Sequence, residues 1–134
     1  MSCFFSLEGK DFDAVKYLQV APLENAKATL KGEPIATGKR LRERSNVIVT
    51  VSEAAFTDLD RQIKDTISFL KNNRNQLSFV QNFPGIDYAT VVFGVYLDTP
   101  LFMKKLNKTF EFPAELISIA GELGIGIDIA LYPE

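Results

Sequence analysis

Apolar and polar residues alternate with period two in several short runs of this chain. Between those runs apolar residues recur every three or four positions. The first pattern marks a strand with one buried face, the second an amphipathic helix. Residues 2–7 alternate, with Cys3, Phe5 and Leu7 on one face and Ser2, Phe4 and Ser6 on the other. They predict a first strand, broken at Gly9. Asp11 then stands where a helix cap belongs, ahead of Phe12, Val15 and Leu18 at helical spacing, and Pro22 ends the segment. Ala26–Leu30 reads as a short strand, and Gly32, Pro34 and Gly38 mark turns. Residues 46–52, rich in β-branched side chains, predict a strand. Phe56, Leu59, Ile63, Ile67 and Leu70 form one apolar stripe and predict the longest helix, with Thr57 and Asp60 as its capping pair and Asp60 to Lys64 as an i, i+4 ion pair.

Beyond Asn72, Asn73 and Asn75, which end that helix, Leu77, Phe79, Val80 and Phe83 predict a short packed turn before Pro84-Gly85. Residues 88–97 are apolar on both faces and predict a strand in the interior of the sheet. Residues 109–112 read as a short strand. Pro113 suits the first position of a helix and Gly124 the position just past its end, with Leu116, Ile117, Ala120 and Leu123 between them. Ile125, Ile127, Ile129 and Leu131 alternate with Gly126, Asp128, Ala130 and Tyr132 as a closing strand. Interleaved strands and helices of this kind predict an α+β fold: a mostly antiparallel sheet with two or three helices packed on it, ferredoxin-like or related. At 134 residues the expectation is a single domain over residues 1–134.

Composition narrows the chemistry. The chain has no His, which removes Ser-His-Asp and Cys-His nucleophile pairs, His-ligated zinc and imidazole acid/base catalysis. Its one cysteine, Cys3, allows neither an intrachain disulfide nor a Cys-rich metal site. No cofactor and no metal are expected. A net charge of −2 argues against general nucleic-acid binding, which needs a strongly basic surface. The N-terminus has no basic region followed by a long apolar run, and no segment approaches the ~18 apolar residues of a membrane helix. The expected location is the cytoplasm, with a reduced thiol and no membrane contact.

The segment Phe112, Pro113-Ala-Glu-Leu-Ile-Ser-Ile-Ala-Gly-Glu-Leu-Gly124, Ile125-Gly-Ile-Asp-Ile-Ala-Leu-Tyr132 resembles a small bacterial family of single-domain proteins of unknown function. The strand at 47–52 leading into the 56–70 helix fits the same outline. The resemblance implies a single domain of about this length. It brings no catalytic motif with it.

Each candidate site stands beside a plainer alternative. Lys39, Arg40, Arg42 and Arg44 are the densest charge cluster and read as an anion-binding patch, against a solvated loop near Glu43 and Glu53. Gly121, Gly124 and Gly126 follow a helix rather than precede one, so a helix end explains them better than a phosphate loop. Phe93-Gly94-Val95-Tyr96 reads as core packing rather than an RNA-recognition sheet. Cys3 reads as an inert buried thiol. Asp87, Asp98, Glu111 and Asp128 lie near strands; carboxylate pairs suffice for glycoside hydrolysis, but nothing in their spacing pairs them. Asp128 is either partly solvated or, if buried, in need of a partner such as Tyr88, Tyr96 or a Lys.

The leading functional expectation is a non-enzymatic binding protein, in its most concrete form an immunity or antitoxin-like protein that occludes a partner toxin. Its candidate contacts are Asp58, Asp60 and Asp65 on the long helix, and Glu111, Glu115 and Glu122 beside Tyr132. The alternatives are a small-molecule or anion-binding regulatory domain and a His-free hydrolase using two carboxylates. Free sheet edges also make a homodimer an expectation.

Overall fold

Cys3–Gly9 forms β1, and every second side chain along it is buried. This is the alternation read from residues 2–7, extended through Gly9. In the computed structural model, which describes residues 1–36, 38, 40–97 and 109–133, β1 is the middle strand of the sheet. The others are β2 (Lys27–Thr29), β3 (Ser45–Ser52), β4 (Tyr88–Leu97) and β5 (Gly126–Pro133), in spatial order β2-β3-β1-β4-β5. β1 pairs antiparallel with both β3 and β4, and β2 pairs antiparallel with β3. Only β4 and β5 run parallel. A parallel pair needs a crossover, and the helix ahead of β5 supplies it. The fold is α+β with a mostly antiparallel sheet.

Helices α1 (Ala14–Val20), α2 (Leu59–Asn72), α3 (Arg74–Leu77) and α4 (Ala114–Leu123) complete the described elements. The long helix lies on the face of the sheet that carries Cys3, Phe5 and Leu7. There Thr66 meets Cys3 at 3.4 Å and Phe69 meets Phe5 with ring centroids 5.7 Å apart. Cys3, Phe5, Leu7, Val47, Val49, Val91 and Phe93 form the sheet side of the core; Ile63, Leu70, Leu77, Leu116 and Leu123 form the helical side. A fully buried Leu such as Leu70 contributes roughly 1.5–3 kcal/mol by leaving water. Phe12, Tyr17 and Phe83 pack edge to face at one end, with centroids 5.1–6.0 Å apart, and the Tyr17 hydroxyl donates to the Gln76 carbonyl at 2.8 Å.

Several boundaries differ from the sequence reading. Asp13, not Asp11, caps α1, and the helix buries Ala14 and Tyr17 while Val15 is exposed. With the cap two residues later, Ala14 and Tyr17 rather than Val15 face the core. Asp58 caps α2 through its Oδ1, which accepts from the Arg61 amide at 3.1 Å, so the Thr57/Asp60 pair does not form the cap. Phe56 lies outside the helix and stacks on Tyr96 at 5.0 Å. The i, i+4 ion pair joins Arg61 to Asp65 rather than Asp60 to Lys64. Residues 109–112 are not in a strand. Pro113 is the cap of α4 rather than its first residue, and Gly124, at φ 72°, is the left-handed residue past its end. Ile119 replaces the exposed Ile117 on the buried face of α4.

Candidate functional site

Period-two alternation fixes what the second face of the sheet offers. Opposite the core residues stand Phe4, Ser6 and Glu8 on β1, Asn46, Ile48 and Thr50 on β3, and Tyr88, Thr90 and Val92 on β4. None of these nine side chains is fully buried. Polar groups therefore surround a half-buried apolar strip of Phe4, Ile48 and Val92. At the far end of this face Phe56 packs between Tyr96 and Tyr132, which sit opposite each other on β4 and β5. Gly94 makes that contact possible: a Cβ there would lie 2.7 Å from the Phe56 ring and from the Ser2 carbonyl.

The charged run beside this face is an arm of a hairpin. Pro34 bridges Leu41, the Gly32 amide donates to the Arg42 carbonyl at 2.9 Å, and the Arg42 amide donates to the Glu33 carbonyl at 2.8 Å. Gly38, at φ 117°, belongs to the turn. On an extended arm residues i, i+2 and i+4 share a side, so Arg40, Arg42 and Arg44 follow one another along it. They line a groove of about 560 Å³ with Glu8, Glu43 and Asn46.

The three arginines are not equivalent. Arg44 bonds Asp87 at 3.0 Å and lies over the Tyr88 ring at 5.6 Å. Asp87 is held in turn by the Lys10 amide at 3.1 Å, and its own amide donates to the Glu8 carbonyl. Arg44 is thus a post joining the arm to the sheet. Arg40 and Arg42 have no ion-pair partner among the described residues, although Arg42 is half-buried. Lys39 lies outside the described residues.

The acidic candidates are arranged differently. Asp65 bonds Arg61 at 3.1 Å and accepts from the Ser52 hydroxyl at 2.6 Å. Glu115 bonds Lys71 at 2.5 Å and Glu122 bonds Arg74 at 3.5 Å, which ties α4 to α2 and α3. Asp58 is the helix cap, Asp60 is exposed in the first turn, and Glu111 is exposed ahead of α4. Tyr132 is 41% exposed on β5, whereas Glu115 and Glu122 stand on α4. Most of the acidic set is therefore engaged within the chain.

The candidate carboxylates Asp128 and Asp87 lie far apart. Asp128 is exposed on β5 opposite Val92, five residues from Asp87 along the sheet, or roughly 16 Å at ~3.3 Å per residue. That exceeds the ~5–10 Å separation of a glycosidase pair. Asp98 lies outside the described residues. Burial pushes the Cys3 thiol up to about 11, so the neutral form prevails and the sulfur is a poor nucleophile. Among the described residues no group of three or more His, Cys, Asp and Glu could hold a metal ion, and no helix is long and apolar enough to cross a membrane.

Sequence reasoning located the basic arm but missed what stands next to it: Lys27, Thr29, Asn46, Thr50 and Tyr88. The period-two signal marked their faces. Their convergence depends on strand order, which no local pattern encodes.

Comparison with known proteins adds a family and no function. No curated protein and no solved structure matches the chain at a significant level. A model of the family described as a domain of unknown function, DUF4279, matches residues 1–134. The chain belongs to that family.

Proposed function

We propose that this protein is a non-catalytic binding module whose working surface is the partly exposed second face of the sheet with the basic hairpin beside it. Its partner is a protein that presents an acidic segment. The observation that carries the reading is the split in charge engagement: among the described residues Arg40 and Arg42 stand without ion-pair partners beside the partly exposed second face of the sheet, whereas Asp65, Glu115 and Glu122 are paired on the helical side. Free charges next to a half-buried apolar strip supply what an interface uses, namely steering from the rim and desolvation at the centre. Toxin neutralisation by occlusion is the most concrete form of the role. In that form the hairpin face, rather than the acidic helices, meets the toxin.

Affinity capture from the native host tests this reading. The wild-type chain is expected to retain a partner that the Arg40→Glu/Arg42→Glu variant loses. Capture unchanged by the double reversal, in a variant that melts like wild type, would overturn it. A secreted-toxin gene adjacent to this one would favour the immunity form.

A further inference from the structure

Arg42 also reaches a second hollow, on the β2 side of the sheet face. It has about 400 Å³ and is lined by Lys27, Thr29, Arg42, Asn46, Ile48 and Thr50 together with Met1 and Asn25. Two cationic side chains line it, and among its described lining residues there is no Asp or Glu. The neighbouring groove differs in having Glu8 and Glu43 among its lining residues. Neither Lys27 nor Arg42 has an ion-pair partner among the described residues. The floor is set up to donate: the Thr29 hydroxyl bonds Asn46 Oδ1, which leaves the Asn46 amide N–H groups for another acceptor. Ile48 adds an apolar wall.

We infer that this hollow binds a small organic oxyanion, a carboxylate or a phosphate ester attached to a short apolar group. Lys27 and Arg42 grip the oxyanion from two elements, β2 and the hairpin arm. Asn46 adds a neutral donor, and the apolar group lies against Ile48. Two charge-assisted contacts in a recessed site account for selectivity against a neutral molecule of the same shape. The hollow shares Arg42, Asn46, Ile48 and Thr50 with the face proposed for the protein partner, and a small probe tests it with no partner present.

The experiment is an amide-shift NMR titration of the whole chain with phenyl phosphate, benzoate and the neutral benzyl alcohol. Saturable shifts are expected at Lys27, Thr29, Asn46 and Ile48 with at least one anionic probe, and the probe that binds tells phosphate from carboxylate. Arg42→Gln and Lys27→Met are each expected to weaken binding tenfold or more, while Arg74→Gln, on the helical side, leaves it unchanged. Three results would overturn the inference: no saturable shift at these residues up to ~10 mM, ten times the Kd of a ~1 mM site; equal binding of benzyl alcohol; or unaltered affinity in both charge-removal variants. Should a variant fail to fold, the wild-type shift map and the neutral-probe comparison still decide.

Discussion

Replacing Gly9 with alanine puts a methyl carbon 1.8 Å from the Gly85 carbonyl oxygen and 2.9 Å from Phe12 Cβ. Real Cβ atoms essentially never come closer than 3.0 Å to such neighbours, so β1 and the 84–87 turn must separate by more than an ångström. Gly85 cannot yield easily. Its φ is 88°, and its own Cβ position lies 2.3 Å from the Asp11 carbonyl oxygen. Overpacking of this sort costs about 1–3 kcal/mol, and the upper end applies because the obstacle is backbone. For a chain of 134 residues, with about 4 °C lost per kcal/mol, the melting temperature should fall by about 10 °C. The same turn carries Asp87, the anchor of Arg44, so the shift also loosens the hairpin's post. Gly121→Ala is the control. That glycine lies in α4 with nothing within 4 Å of an added Cβ, and alanine there should stabilise by about 0.5–1 kcal/mol. Thermal unfolding followed by circular dichroism measures both. A neutral Gly9→Ala, or two substitutions that change stability in the same direction, would refute the close approach on which the reasoning rests.

Tyr17→Phe removes the 2.8 Å hydrogen bond to the Gln76 carbonyl and should cost about 1 kcal/mol in urea unfolding. Cys3 should resist iodoacetamide in the native state and react once the chain is unfolded. Its folded pKa of about 11 lies above the ordinary 9.0, so the unfolded chain releases this proton first as pH rises. Stability from Cys3 is then fully present below pH 9 and is lost between about 9 and 11, which a denaturation series across that range checks against Cys3→Ala. Glu115→Gln breaks an exposed ion pair with Lys71 and should change stability by less than about 1 kcal/mol while leaving partner capture intact.

Much of the fold was readable because its signals are local. The alternation in residues 2–7, the β-branched run at 46–52 and the stripe from Leu59 to Leu70 each identify an element from neighbouring residues alone. The errors cluster where two local signals compete. Phe56 continued the apolar stripe of α2 in sequence, but Asp58 offered a better cap, so the helix starts later and Phe56 turns to Tyr96 and Tyr132. Thr109–Phe112 has the composition of a strand but is not in one. The candidate site was half readable. Charge density marked Arg40, Arg42 and Arg44, but charge density cannot tell a committed cation from a free one. Asp87 lies 43 residues from Arg44, and the pairing of β1 with both β3 and β4 brings it near. In the same way Lys27 joins Arg42 only because β2 pairs with β3. The acidic residues of α2 and α4 looked free in sequence because their partners, Lys71 and Arg74, lie 44 and 48 residues away from Glu115 and Glu122.

The central claim is that the partly exposed sheet face and its hairpin, not the helical face, meet the partner. Hydrogen–deuterium exchange of the chain, alone and with its captured partner, tests that claim most directly. The account predicts slowed exchange at residues 27–29 and 40–50, with α2 and α4 unchanged. Protection confined to α2 and α4, with the hairpin and β3 exchanging as in the free chain, would contradict it.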